Sequence, residues 1–127
     1  MDFTFSEEQN LLRDSVRKFV EKDYTFEARR ALLKTDLGFN RETWKSFADL
    51  GWTALPFSEA DGGLGGTAID TMIVLEEFGR GLVVEPYVPT IVFAGGLLRR
   101  ASAALREKHL PGLIAGFQKI AEVGSRY

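Results

Sequence analysis

An all-α domain, a bundle of about five or six helices, is what this sequence predicts, on three observations. Apolar residues recur at helical spacing through most of the chain, and four separate capping patterns (at Ser6, Asn40, Thr67 and Ser102) mark helix starts. No stretch carries the strict alternation of a half-buried strand. The 127 residues fit one domain with an ordinary core, and 45% hydrophobic with 27% charged residues is the balance of a soluble globular protein.

The first helix starts at Ser6, whose side chain is placed to accept the Gln9 N–H while Gln9 reaches back. Leu12, Val16, Phe19 and Val20 fall on one stripe, with Leu11 beside them. Glu7 and Glu8 at the start and Arg17, Lys18 and Lys22 late in the helix complement its dipole. Between Asp23 and Lys34, Phe26, Leu32 and Leu33 predict a shorter second helix, with Gly38 at or beyond its end. Asn40 caps the next, which carries Trp44, Phe47 and Ala48 on one face and stops at Gly51.

An apolar strip, Trp52 to Leu55, then leads through Pro56 and a polar turn into four glycines: Gly62, Gly63, Gly65 and Gly66. Such a run allows another chain segment or a ligand to approach the backbone closely. Thr67 with Asp70 starts a helix that Ile69, Met72, Ile73, Val74, Leu75 and Phe78 make apolar nearly all round, the mark of a central helix. Gly79-Arg80-Gly81 ends it, and Leu82 to Glu85 is irregular because Pro86 disfavours helix before it. Pro89 opens a further helix with Ile91, Val92, Leu97 and Leu98, punctuated by Gly95-Gly96. Ser102 caps a last one, which Pro111-Gly112 is expected to end or kink.

Several function classes are excluded. A net charge of -2 offers no basic face for nucleic acid, and the doublets Arg29-Arg30 and Arg99-Arg100 read as solvated helix surface. Without cysteine there is no disulfide framework or thiolate metal site, which suits a reducing cytoplasm. The acidic N-terminus, MDFTFSEEQ, has no apolar signal core, and the run Ile91 to Leu98 is far short of a membrane span. A cytoplasmic protein is expected.

Gly63-x-Gly65-x-x-Ala68 formally meets the relaxed dinucleotide fingerprint, with Glu85 about where a ribose-binding acid belongs. The context fails, since Pro56 and Ser58 to Asp61 stand where a buried strand should lead in. Glu76 and Glu77 are adjacent on a helix and point apart, so they cannot share an acid–base site; one is expected in solvent and the other on an arginine or the glycine loop. His109 is the one histidine, which makes a metal site unexpected, and no serine sits in a nucleophile elbow. Composition and spacing stop there, without a catalytic constellation.

Motif order carries the reading further. Phe3 and Phe5 ahead of Glu7-Glu8-Gln9, then Leu50-Gly51-Trp52, Pro56, Asp61-Gly62-Gly63-Leu64-Gly65-Gly66 and Glu76-Glu77-Phe78-Gly79-Arg80, together resemble the N-terminal helical domain of the acyl-CoA dehydrogenases. Asp23-Tyr24, Phe26 to Arg29, Glu85-Pro86-Tyr87 and Ser125-Arg126-Tyr127 look most like the small subunit of pimeloyl-CoA dehydrogenases. The resemblance implies a flavoenzyme that oxidises an acyl-CoA thioester to its trans-2-enoyl form. In that family a glutamate takes the α-proton, FAD takes the β-hydride and an electron-transfer flavoprotein reoxidises the flavin.

The family's fold is a helical N-terminal domain, a central β-domain and a C-terminal helical domain, usually in a tetramer. On this likeness residues 1–116 match the first domain, and 117–127 are a stub of the β-domain. Phe117 stands where relatives have glutamate, and Ala121-Glu122 where they have a Thr-Glu step. The expectation is a truncated or internally deleted chain, inactive alone, with no catalytic residue and no metal of its own. It would work with FAD and an acyl-CoA substrate in a homo-oligomer or with a partner subunit. Ser125 matches a serine that lies near the CoA or flavin in relatives, and Tyr87, Thr90, Ile91 and Ala94 are expected to line the end of the acyl chain. The same four residues also read as plain helix core. A second function class, a non-catalytic helical module that dimerises through a face left uncovered, stands beside the first.

Overall fold

The computed structural model describes residues 2–116. It is all-α, as expected, with six α-helices and no strand among the described residues. These are α1 (Glu7–Asp23), α2 (Phe26–Leu32), α3 (Arg41–Asp49), α4 (Ala68–Arg80), α5 (Gly95–Arg99) and α6 (Ala103–Ile114). A short 3-10 turn, Glu59–Asp61, precedes α4, and a π-helical segment, Val88–Ala94, runs directly into α5. Two compact units result, one from residues 2–39 and 67–84, the other from 40–66 and 85–116.

In the first unit α1 packs on α4. The Ser6 cap forms in both directions, with the Gln9 N–H donating to Ser6 Oγ at 3.1 Å and the Ser6 N–H to Gln9 Oε1 at 2.9 Å. Thr67 and Asp70 repeat the box at the start of α4, and Gln9 Nε2 donates to Asp70 Oδ1 at 3.2 Å. Val16 and Val20 of α1 and Ile73, Val74 and Phe78 of α4 are buried. Helix α4 departs from the all-round apolar expectation, because Ile69 and Met72 are about half exposed while the acidic Glu77 lies inside. After α4 the backbone turns through Leu82, a non-glycine residue at φ 53°. Arg29 Nε donates to Leu82 O at 2.7 Å and the Val84 N–H donates to the Tyr24 hydroxyl at 3.1 Å, so two side chains hold that strained turn.

In the second unit Asn40 Oδ1 accepts from the N–H groups of Glu42 (2.8 Å) and Thr43 (3.3 Å) and so caps α3. Trp44 and Phe47 are fully buried, and the Phe47 and Trp52 rings lie 5.5 Å apart between centroids. The glycine loop doubles back on the strip before it. The N–H groups of Leu64, Gly65 and Gly66 donate to the carbonyls of Ala54 (3.0 Å), Phe57 (2.7 Å) and Leu55 (2.7 Å), and Gly63 N–H donates to Ser58 O at 2.8 Å. A Cβ on Gly63 would stand 2.1 Å from Phe57 O, and one on Gly66 2.7 Å from Leu55 O. The segment that approaches these glycines is therefore the chain's own.

Helix α6 overrides its proline. Expected to end or kink at Pro111-Gly112, it continues to Ile114 and stops at Gly116 (φ 81°). Leu110 and Leu113 are buried on either side of Pro111, and Thr53 Oγ1 donates to Ile114 O at 2.6 Å. Packing of that face outweighs the one backbone hydrogen bond a proline removes.

Candidate functional site

Of the residues singled out, Thr90, Ile91 and Ala94 fall on the π-helical segment, where an ordinary helix was expected, and Tyr87 immediately precedes it. Pro89 removes one N–H donor from its first turn, Pro86 stands just ahead of it, and the Gly95 N–H reaches back to Thr90 O. Helices of this kind are rare and recur at functional sites. Tyr87, Thr90 and Ile91 are at most 2% exposed, and Ala94 is half-buried. The Tyr87 hydroxyl donates to Trp52 O at 2.7 Å, and burial pushes its pKa up, so it stays a protonated donor. Thr90 Oγ1 is different. It is fully buried and has no hydrogen-bond partner among the described residues. A buried hydroxyl without a partner costs about 1–3 kcal/mol. The outward residues of the same run, Val88, Val92, Phe93 and Leu97, are 37–70% exposed.

The glycine loop does not cradle a phosphate. Its amides, from Gly62 (to Glu59 O at 3.0 Å) through Gly66, are spent on the chain's own carbonyls. Glu85, the formal ribose acid, is buried, and its Oε2 accepts the Asn40 N–H at 3.0 Å. A flavin pyrophosphate thus finds no fit at this loop, and Ser125, assigned to the flavin or CoA by resemblance, lies outside the described residues, as does the stub 117–127. A cleft of about 350 Å³ beside the loop is lined by Pro56, Ser58, Asp61, Gly65, Gly66 and Arg99. Its charges are engaged, Arg99 Nη1 with Pro56 O (3.1 Å) and Asp61 with Arg106 Nε (3.4 Å).

Glu76 and Glu77 part as expected. Glu76 is exposed, 3.6 Å from Arg13 and 3.8 Å from Arg80. Glu77 is 1% exposed and receives two hydrogen bonds from Arg17, at 2.8 and 3.2 Å, with Arg80 at 3.7 Å. Those bonds hold its carboxyl below the usual range against the opposing push of burial, and they raise Arg17 in turn. A cleft of about 320 Å³ opens over this pair, with Tyr24, Glu21 and Gly81 among its lining residues. A carboxylate held ionised by guanidinium groups is a poor proton acceptor, so the geometry makes it structural. His109 is half-buried, and the described residues contain no cluster of three or more potential metal ligands. No described helix is long and apolar enough to cross a membrane.

An all-α domain with a proline-flanked π turn, a self-paired glycine loop and a buried Glu–Arg cluster defines a class before it defines a protein. The family profile of the acyl-CoA dehydrogenase N-terminal domain matches residues 6–117, and the chain belongs to that family. Acyl-CoA dehydrogenase IpdE2 of Mycolicibacterium smegmatis is 39% identical over 94 residues, 73% of this chain and 30% of that protein. Isovaleryl-CoA dehydrogenase, mitochondrial, of Pongo abelii is 32% identical over 114 residues, 87% of this chain and 27% of the relative. A chain in the crystal structure of the ChsE4-ChsE5 complex from Mycobacterium tuberculosis superposes with a TM-score of 0.86 at 31% identity, over 94% of this chain and 33% of that one. The chain thus spans 27–33% of the length of these relatives. None of these relatives' names specifies a pimeloyl group, so the likeness does not select the pimeloyl-CoA subgroup.

Proposed function

We propose that this chain is the helical domain of a flavin-dependent acyl-CoA dehydrogenase that oxidises acyl-CoA thioesters to trans-2-enoyl-CoA, and that it contributes one wall of the acyl pocket without catalysing alone. The family match supports the reaction class. One observation carries the wall: the buried, unpartnered hydroxyl of Thr90 within a π-helical segment. Of the four residues, half-buried Ala94 has surface to offer an acyl chain, and buried Tyr87, Thr90 and Ile91 hold that wall from inside.

A bound flavin would supply the hydride acceptor, with an electron-transfer flavoprotein as its oxidant, and no described residue is assigned to hold it. A partner subunit supplies its binding groups, a reading supported by the solved relative being a complex of two named proteins. Cysteine-free composition suits a cytoplasmic setting.

The test is gel filtration of the chain with FAD, alone and with the longer family polypeptide, following flavin absorbance. Flavin co-eluting only in the presence of the partner is the expected result. Co-elution with this chain alone overturns the division of labour, and no flavin in either run sinks the contributing-subunit reading.

A second reading, a helical interaction module, is favoured by one observation: Val88, Val92, Phe93 and Leu97 are exposed at helical spacing on one continuous run.

A further inference from the structure

The turn after α4 holds a leucine where a glycine would be at ease. Its hydrogen bonds are those of a common helix stop, with the Val83 N–H donating to Phe78 O at 3.0 Å and the Leu82 N–H to Gly79 O at 3.2 Å. That pattern puts one residue in the left-handed region, which glycine enters freely and a bulky side chain does not. Glycines stand at Gly79 and Gly81, yet the left-handed residue is Leu82, at φ 53°. An exposed leucine needs no explanation by itself, but one held in such a conformation does. The bonds from Arg29 Nε to Leu82 O (2.7 Å) and from the Val84 N–H to the Tyr24 hydroxyl (3.1 Å) fix the backbone and leave the leucyl side chain 59% exposed. Helix α2, which carries Arg29, is unusual in its own way. It has seven residues and buries none of them among the described residues, and Phe26, one turn before Arg29, is 73% exposed. A helix that short is marginal in water without packing.

We infer that Leu82 and Phe26 are the apolar centre of a docking surface for the partner polypeptide that supplies the flavin-binding groups. This rests on the division of labour proposed above. The matched domain is 27–33% of the length of the relatives, so most of each is chain that can cover a face of this domain. Charge states the chemistry of the occupant. Helix α2 brings Arg29 and Arg30 against one acid, Glu27, and Arg29 touches the turn itself. The fitting partner surface is therefore an apolar socket with an acidic rim. A second copy of this chain carries the same surplus of positive charge and is the poorer fit. The strain also has a use, because a side chain fixed before the encounter has less freedom to lose on binding.

The test titrates the full chain with the longer family polypeptide, loaded with FAD, and reads the dissociation constant by sedimentation velocity. Wild type is compared with Leu82→Ala, Leu82→Gly and Arg30→Glu, and thermal unfolding is run alongside. Both Leu82 variants are expected to weaken binding on the order of tenfold, the worth of burying the exposed part of a leucine. Alanine keeps the strained backbone and glycine relaxes it, so equal weakening assigns the effect to the side chain. Added salt is expected to weaken the wild-type complex, and Arg30→Glu to weaken it at low salt. Any pattern other than weakening in both Leu82 variants overturns the inference, and wild-type binding then leaves the contributing-subunit reading intact. Loss of the chain's self-association in these variants, with partner affinity unchanged, assigns the surface to a second copy and overturns the inference as well. Failure of the wild type to bind the polypeptide overturns both.

Discussion

Glu77 is a carboxylate removed from water and kept charged by its neighbours. It sits on α4 at 1% exposure, with Arg17 of α1 donating twice and Arg80 one turn on. Its folded pKa lies below the ordinary glutamate value of about 4.3. Its contribution to stability is thus complete above about pH 4.3 and fades as pH falls through the lower, folded value. Arg17→Ala is expected to destabilise the fold at neutral pH, by less than loss of a partner from a fully buried pair, because Arg17 is partly in solvent and Arg80 stays near. Urea unfolding at pH 7 reads the loss directly, and the gap between variant and wild type should narrow in acid. An unchanged urea midpoint would mean the pair contributes nothing. The arginine was foreseeable as a type of partner for Glu76 or Glu77, but its identity was not, because 60 residues separate Arg17 from Glu77.

At the scale of elements, local rules and packing trade places along the chain. Helix starts follow local chemistry, and the caps at Ser6, Asn40, Thr67 and Ser102 all form. The glycine loop follows close approach instead, so its glycines differ in what they tolerate. Gly63→Ala drives a methyl into the Phe57 backbone and is expected to cost about 2–3 kcal/mol. Gly79→Ala, in α4 with nothing within 4 Å of the new methyl, should be neutral or stabilise by up to about 1 kcal/mol. Comparing the two by thermal unfolding separates a glycine held by contact from one that is merely helical, and equal costs would contradict that assignment.

At the scale of the whole molecule, the exposed run Val88, Val92, Phe93 and Leu97 remains uncovered by any described residue to better than about a third. Apolar surface of that kind favours association. The sedimentation-average mass of the chain is expected to rise with concentration, and Phe93→Asp should suppress the rise. A monomer at every concentration would remove the interaction-module reading and leave the face to the rest of a larger enzyme.

The sequence by itself determined the all-α class, the helix starts, the divergence of Glu76 from Glu77 and the failure of the dinucleotide fingerprint, because each depends on spacing over one or two turns. Motif order carried the family likeness. Tertiary structure decided the rest: Pro111 is absorbed because Leu110 and Leu113 are buried beside it, and Val88–Ala94 is π-helical where spacing predicted an ordinary helix. Tertiary structure alone places Phe57 behind Gly95, 38 residues away in sequence by their numbers, since contact between distant segments leaves no periodic trace in either. The hydroxyl of Thr90 was legible as a threonine in a helix, but its lack of a partner among the described residues depends on every group packed around it.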